Sequence, residues 1–129
     1  MTLGSPMVNW LLLFMIAILI AFQAAIVIGA PLGQYAYGGR YKGKLPIKLR
    51  ITSAITVIVL LAMQGHLLAQ AGVFTPLLQA NLNEIANYAI VAFFALGTLV
   101  NLASRSKAER NIWTPFSLIS TILAVLGTI

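Results

Sequence analysis

Cysteine is absent from the sequence, and acidic residues nearly so: Glu84 and Glu109 are the whole complement, beside one histidine, His66. Without cysteine there is no disulfide, thiolate metal site or cysteine nucleophile. One His and two Glu do not make a self-contained zinc or di-iron site, so no metal, cofactor or catalytic residue is expected. Charge is scarce too: 8% of residues are charged and 60% are hydrophobic, where a soluble domain carries about a quarter charged. With a mean hydropathy of +0.98, the chain is built for lipid as its solvent.

The charge that is present is lopsided. Eight Lys and Arg against the two Glu leave a formal net charge of +6, which in a soluble protein would raise the question of nucleic acid. Here Arg40, Lys42, Lys44, Lys48 and Arg50 lie between two apolar runs, and Arg105, Lys107 and Arg110 between two others. That placement points to a membrane surface, and no nucleic-acid partner is expected.

A helix needs about 20 apolar residues to cross a hydrocarbon core of about 30 Å. Four segments approach this, at about 8–30, 46–71, 81–102 and 112–129. Pro31 and Gly33 stop the first, Pro46 opens the second, and Gly72 and Pro76 end it. The first run is too long for a signal-peptide core and carries no preceding Lys or Arg, so it reads as a retained helix. The fourth, from Ile112, is the shortest. The fold expected is all-α, a single antiparallel four-helix transmembrane bundle. All eight basic residues fall in the first and third connections, so the positive-inside rule puts those in the cytoplasm and both termini outside it. Trp113 and Tyr41 then read as anchors at the inner interface and Trp10 at the outer one.

Polar residues recur at helical spacing. The second helix carries Thr52, Thr56, Val59, Met63, His66 and Gln70 on one seam, and the third carries Glu84, Asn87, Val91, Phe94, Thr98 and Asn101. Thr114, Ser117, Thr121, Ala124 and Thr128 form a seam on the fourth, and Ala17, Ala21, Ala25 and Gly29 a small ridge on the first. Such stripes mark packing faces held by interhelical hydrogen bonds; the other reading is a polar cavity or path. Counted inward from the outer helix ends, His66 and Glu84 lie at similar depth. An ionisable residue inside a bilayer is a functional hypothesis with its partner named. The candidate polar cluster is accordingly His66 and Glu84, with Gln70, Asn87 and Tyr88 beside them. The plainer readings are a hydrogen-bonded imidazole and a first-turn acid favoured by the helix dipole. Gln23 reads as a further interhelical tie.

The connection from Gly29 to Arg50 combines five glycines, three tyrosines, two prolines and five basic residues. Its composition predicts a structured loop against the cytoplasmic leaflet, with Arg40, Lys42, Lys44, Lys48 and Arg50 as candidates for lipid headgroups or an anionic ligand. No phosphate-loop pattern is present. In the other basic connection, Ser106 and Glu109 have the spacing of a capping box, with the Glu109 charge offset by Arg105 and Arg110.

At these two connections the chain resembles a group of small, uncharacterised bacterial four-helix membrane proteins. The likeness rests on Gly29, Ala30, Pro31, Gly33, Ala36, Gly38 and Gly39, on Leu45, Pro46, Leu49, Arg50 and Ser53, and on Asn101, Ser104, Ser106, Glu109, Arg110, Trp113 and Pro115. It implies a bacterial inner membrane or plasma membrane and transfers no catalytic or binding role. The partners expected are the lipid bilayer, anionic lipids at the basic loops, and a second copy or another membrane protein. The leading functional expectation is a non-catalytic subunit or scaffold. The alternatives are an oligomeric transporter or channel lined by His66 and Glu84, and an intramembrane enzyme using them as acid and base.

Overall fold

A computed structural model describes residues 5–73 and 80–128, and among them there are four α-helices and no strand. Helix α1 covers Ser5–Val27, α2 Ile47–Gln70, α3 Ala80–Leu102 and α4 Lys107–Leu126. The first three contain stretches long and apolar enough to cross a membrane, at Met7–Val27, Ile47–Gln70 and Leu82–Leu102. The fourth does not meet that description: it opens on Lys107, Glu109 and Arg110, and its apolar part from Ile112 to Leu126 rises only about 22 Å at 1.5 Å per residue. The expected helix end at Ile129, and Pro76 as a helix stop, lie outside the described residues.

Helices α1 and α2 end by the same device. The Ala30 N–H donates to Ala25 O (2.9 Å) and the Gly29 N–H to Ile26 O (3.0 Å), while Val73 donates to Leu68 O (3.0 Å) and Gly72 to Ala69 O (3.1 Å). These are Schellman bonds, which need a left-handed residue that glycine adopts without penalty; Gly29 and Gly72 have φ of 97° and 86°. The first helix therefore stops three residues before Ala30, its expected end. Helix α4 starts earlier than expected, because the Ser106 hydroxyl accepts the Glu109 N–H (3.1 Å) and caps it.

Around the bundle, α1 lies between α2 and α4, and α3 packs on α4, whereas α2 and α3 scarcely touch. Each packed pair is antiparallel. Asn9 Nδ2 donates to Leu67 O (2.9 Å), Gln64 Nε2 to Leu13 O (3.1 Å) and Arg50 to Val27 O, joining opposite ends of α1 and α2. Thr98 meets Thr121 and Asn101 meets Ser117 across α3 and α4. Leu12, Leu13 and Ile16 of α1, Leu60 and Leu67 of α2, Ile90 and Phe94 of α3 and Ala124 of α4 make one apolar core.

Two of the expected seams are corrected by this packing. On α1, Ala17 and Ala21 are exposed, and the packed face is Leu12, Leu13, Ile16 and Ile26. On α2 the buried positions are Ser53, Leu60 and Leu67, at seven-residue spacing, together with Ala69, while Val59 points outward. Thr52 and Thr56 hydrogen-bond back to Lys48 O and Thr52 O of their own helix, the usual way a hydroxyl is satisfied without a neighbour. The α3 seam from Asn87 to Asn101 and the α4 seam do face inward.

Candidate functional site at the basic end

The two basic connections fold into one cap. After α1, residues Gly33–Tyr35 and Tyr37–Gly39 form short 3-10 turns over a small core of Ile26, Ala36 and Leu45. A Cβ on Gly33 would lie 1.6 Å from Tyr41 O, so only glycine lets the strand of chain return this closely; its N–H donates to Gly43 O (2.9 Å). Tyr37, in the left-handed region at φ 51°, sends its hydroxyl to the fully buried Ser53 Oγ (2.8 Å). Arg50 turns back to donate through Nε and Nη2 to Val27 O at 3.1 and 2.9 Å, satisfying a carbonyl that the end of α1 leaves open.

Glu109 locks the cap. It is only 7% exposed, and its Oε1 accepts the Gly38 N–H at 3.1 Å across 71 residues of sequence. The capping box is thus half made: Ser106 takes the Glu109 N–H, but the carboxylate reaches across to the other loop, and the Ser106 N–H is met by Ser104 Oγ (3.0 Å). Ser106 Oγ also donates to Gln34 O, and Gly39 packs against the Ser106 side chain. Arg110 Nη1 donates to Ser104 O (2.8 Å). The expected offset of Glu109 by Arg105 and Arg110 is replaced by this amide contact, with no ion pair among the described residues.

The fused loops bring together cations that are far apart in sequence. Arg40 and Lys42 from the first and Arg105 and Lys107 from the second surround an open recess of about 770 Å³ that also touches Tyr37 and Gly38. Arg40 lies 5.7 Å above the Tyr41 ring. Of the other candidates for an anion, Lys44 and Lys48 are exposed; Arg50 is committed to Val27 O. Arg105 and Lys107 were not among the sequence candidates, since nothing in the spacing tells which loops meet.

Beneath the cap is a cavity of about 500 Å³, walled by all four helices and floored by Tyr35–Gly38. Most of the surface it exposes is apolar, from Leu19, Phe22, Phe93 and Phe94, and its polar lining includes Gln23, Thr56, Asn101, Glu109 and Ser117. Trp113, expected at the membrane interface, is instead buried at 9% exposure. Its ring packs on Phe22 and Phe116 at centroid distances of 4.5 and 5.0 Å. The physical reason is the helix face: Trp113 shares the buried face of α4 with Ser117 and Ser120, which turns its ring onto α1. Trp113 and Gln23 both line the cavity, but the Trp113 Nε1 and the Gln23 Oε1 are themselves buried, with no partner among the described residues. The expected tie through Gln23 is not formed by that oxygen, and a buried polar atom left so costs about 1–3 kcal/mol.

No family model, curated protein or solved structure matches the chain.

At the opposite end, the polar cluster forms around a different centre from the one expected. His66 Nε2 is 2.8 Å from Asn87 Oδ1, and Asn87 Nδ2 donates to Gln70 Oε1 at 2.8 Å. Asn87 thus takes the place assigned to Glu84 as partner of His66. Glu84 and Tyr88 are exposed, and among the described residues neither makes a side-chain hydrogen bond or ion pair. Glu84 stands almost one turn beyond Asn87 on α3, toward the end of the helix, about 4.5 Å further along the axis, while Asn87 is level with His66 and Gln70 of α2. Among the described residues no three His, Cys, Asp or Glu gather as metal ligands.

Proposed function

We propose that the chain is a four-span membrane protein, its cap in the cytoplasm and both ends outside, acting as a non-catalytic scaffold that holds anionic lipid headgroups at the inner leaflet. The observation that carries this reading is the recess ringed by Arg40, Lys42, Arg105 and Lys107. Four cations on a braced surface, at the end of a lipid-facing bundle, match the chemistry of phosphate headgroups, which basic residues attract at about 1 kcal/mol each. The positive-inside count supports the orientation. For the fourth span, support comes from its outward row of Leu118, Ile119, Ile122 and Val125, all exposed, opposite buried Ser117, Ser120 and Ala124. The resemblance carried by the two loops adds a bacterial inner membrane or plasma membrane as the setting.

A transporter route along His66 is less well supported. Leu12, Ile16, Leu60 and Phe94 fill the interior between the His66 cluster and the cap, so a route would have to run between copies. The test is lipid retention by purified protein, read by native mass spectrometry. Anionic lipid should be held in preference to zwitterionic lipid, and Arg40→Gln with Lys42→Gln should weaken that preference by about thirtyfold at 1 kcal/mol per cation. Equal retention of both lipids by the parent would overturn the reading.

A further inference from the structure

We infer that the cavity under the cap takes one hydrocarbon chain of a phosphate-headed bilayer lipid, whose head rests on the cations of the cap. This rests on the headgroup reading above and gives it a defined site.

Three observations converge. First, the cavity, at about 500 Å³, falls within the range of sites that enclose small ligands, and most of the surface it exposes is apolar. Second, it faces lipid. Its rim residues Thr52 and Val100 are both exposed and stand on α2 and α3, two helices with few contacts that, among the described residues, are joined by side-chain hydrogen bonds only around Asn87. A chain can enter sideways from the bilayer without crossing water. Third, the charge is graded. Glu109 on the cavity wall disfavours a phosphate inside, whereas the adjoining recess is basic; Tyr37 and Gly38 border both. One molecule lying across that border places its head on Arg40 and Lys42 and its chain beneath.

The chain has two tryptophans, and only Trp113 lines the cavity, which gives a direct reading. Trp10→Phe protein is reconstituted in zwitterionic bilayers with rising fractions of phosphatidylglycerol carrying brominated chains, and Trp113 fluorescence is followed. Bromine quenches on near contact. The expected result is quenching that saturates at a few mole per cent of the anionic lipid and stays small with brominated zwitterionic lipid. Gly97→Leu should reduce it several-fold: Gly97 lines the cavity, and a Cβ there meets only Ser117 Oγ at 3.8 Å. Thr56→Leu should do the same from the α2 wall, and thermal melts establish that both variants fold. Arg40→Gln with Lys42→Gln should move the midpoint at least tenfold. Quenching that rises linearly, alike for both lipids and both plugged variants, overturns the inference. Retention of anionic lipid without quenching overturns it too, leaving the headgroup reading intact. Saturable quenching that ignores lipid charge and the Arg40 and Lys42 substitutions overturns both.

Discussion

The two ends of this bundle are held by different physics. At the basic end, loops remote in sequence are joined by buried backbone and side-chain contacts, with Glu109 on the Gly38 amide, Ser106 on Gln34 and Tyr37 on Ser53. At the end nearer the termini, α2 and α3 meet through three polar side chains, His66, Asn87 and Gln70. The cavity of about 500 Å³ lies at the basic end, and a pocket of about 20 Å³ lies beside Asn9, Gln70 and Asn87 at the other. Where lipid is the solvent, polar side chains at a helix interface gain little, because the separated helices also find partners. A cap in which one carboxylate satisfies an amide of another loop is a more specific construction, and the surface proposed for lipid headgroups is built on it.

That contrast can be broken at its strongest point first. Gly33→Ala should cost the most, about 3 kcal/mol or more, because its methyl group collides with the Tyr41 carbonyl and overpacking of a closed site is costly; thermal melts in detergent would measure it. Glu109→Ala should follow at about 1–3 kcal/mol, the penalty of an amide left without its acceptor. Glu109→Gln should recover most of that loss, since its amide oxygen still accepts from Gly38. At the other end Asn87→Ala removes two hydrogen bonds, yet the expected loss is about 0.6–1.7 kcal/mol, the range found for interhelical bonds in membranes. Glu84→Gln should change stability by less than about 0.5 kcal/mol, as for surface substitutions generally. A loss at Glu84 matching that at Asn87 would restore the His66–Glu84 pair and undo the contrast.

How far the fold could be read in advance follows the same division. Element positions were legible because length, Pro and Gly mark them, and the Gly72 stop is a Schellman bond pair one residue after Ala71. Which face of a helix packs was legible on α3, where Asn87, Thr98 and Asn101 bond to neighbouring helices. On α1 it was not. Alanine and leucine are both at home against lipid, so the ridge at Ala17 and Ala21 carries no directional information without a polar residue to orient it. The cluster at His66 was half legible: helical spacing brought Gln70 and Asn87 to it, but the level at which α2 meets α3 made Asn87 the partner rather than Glu84. Arg105 and Lys107 beside Arg40 could not be foreseen, because the contact of Gly38 with Glu109 is a product of helix order around the bundle.

The proposed topology puts the cap and Thr128 on opposite sides of the membrane, which requires α4 to cross. Because the sequence has no cysteine, single substitutions Lys42→Cys and Thr128→Cys can be probed in intact cells with a membrane-impermeant maleimide. The account predicts labelling of Thr128→Cys from outside, and of Lys42→Cys only after the membrane is opened. If both are reached from the same side, α4 does not span and the account is contradicted.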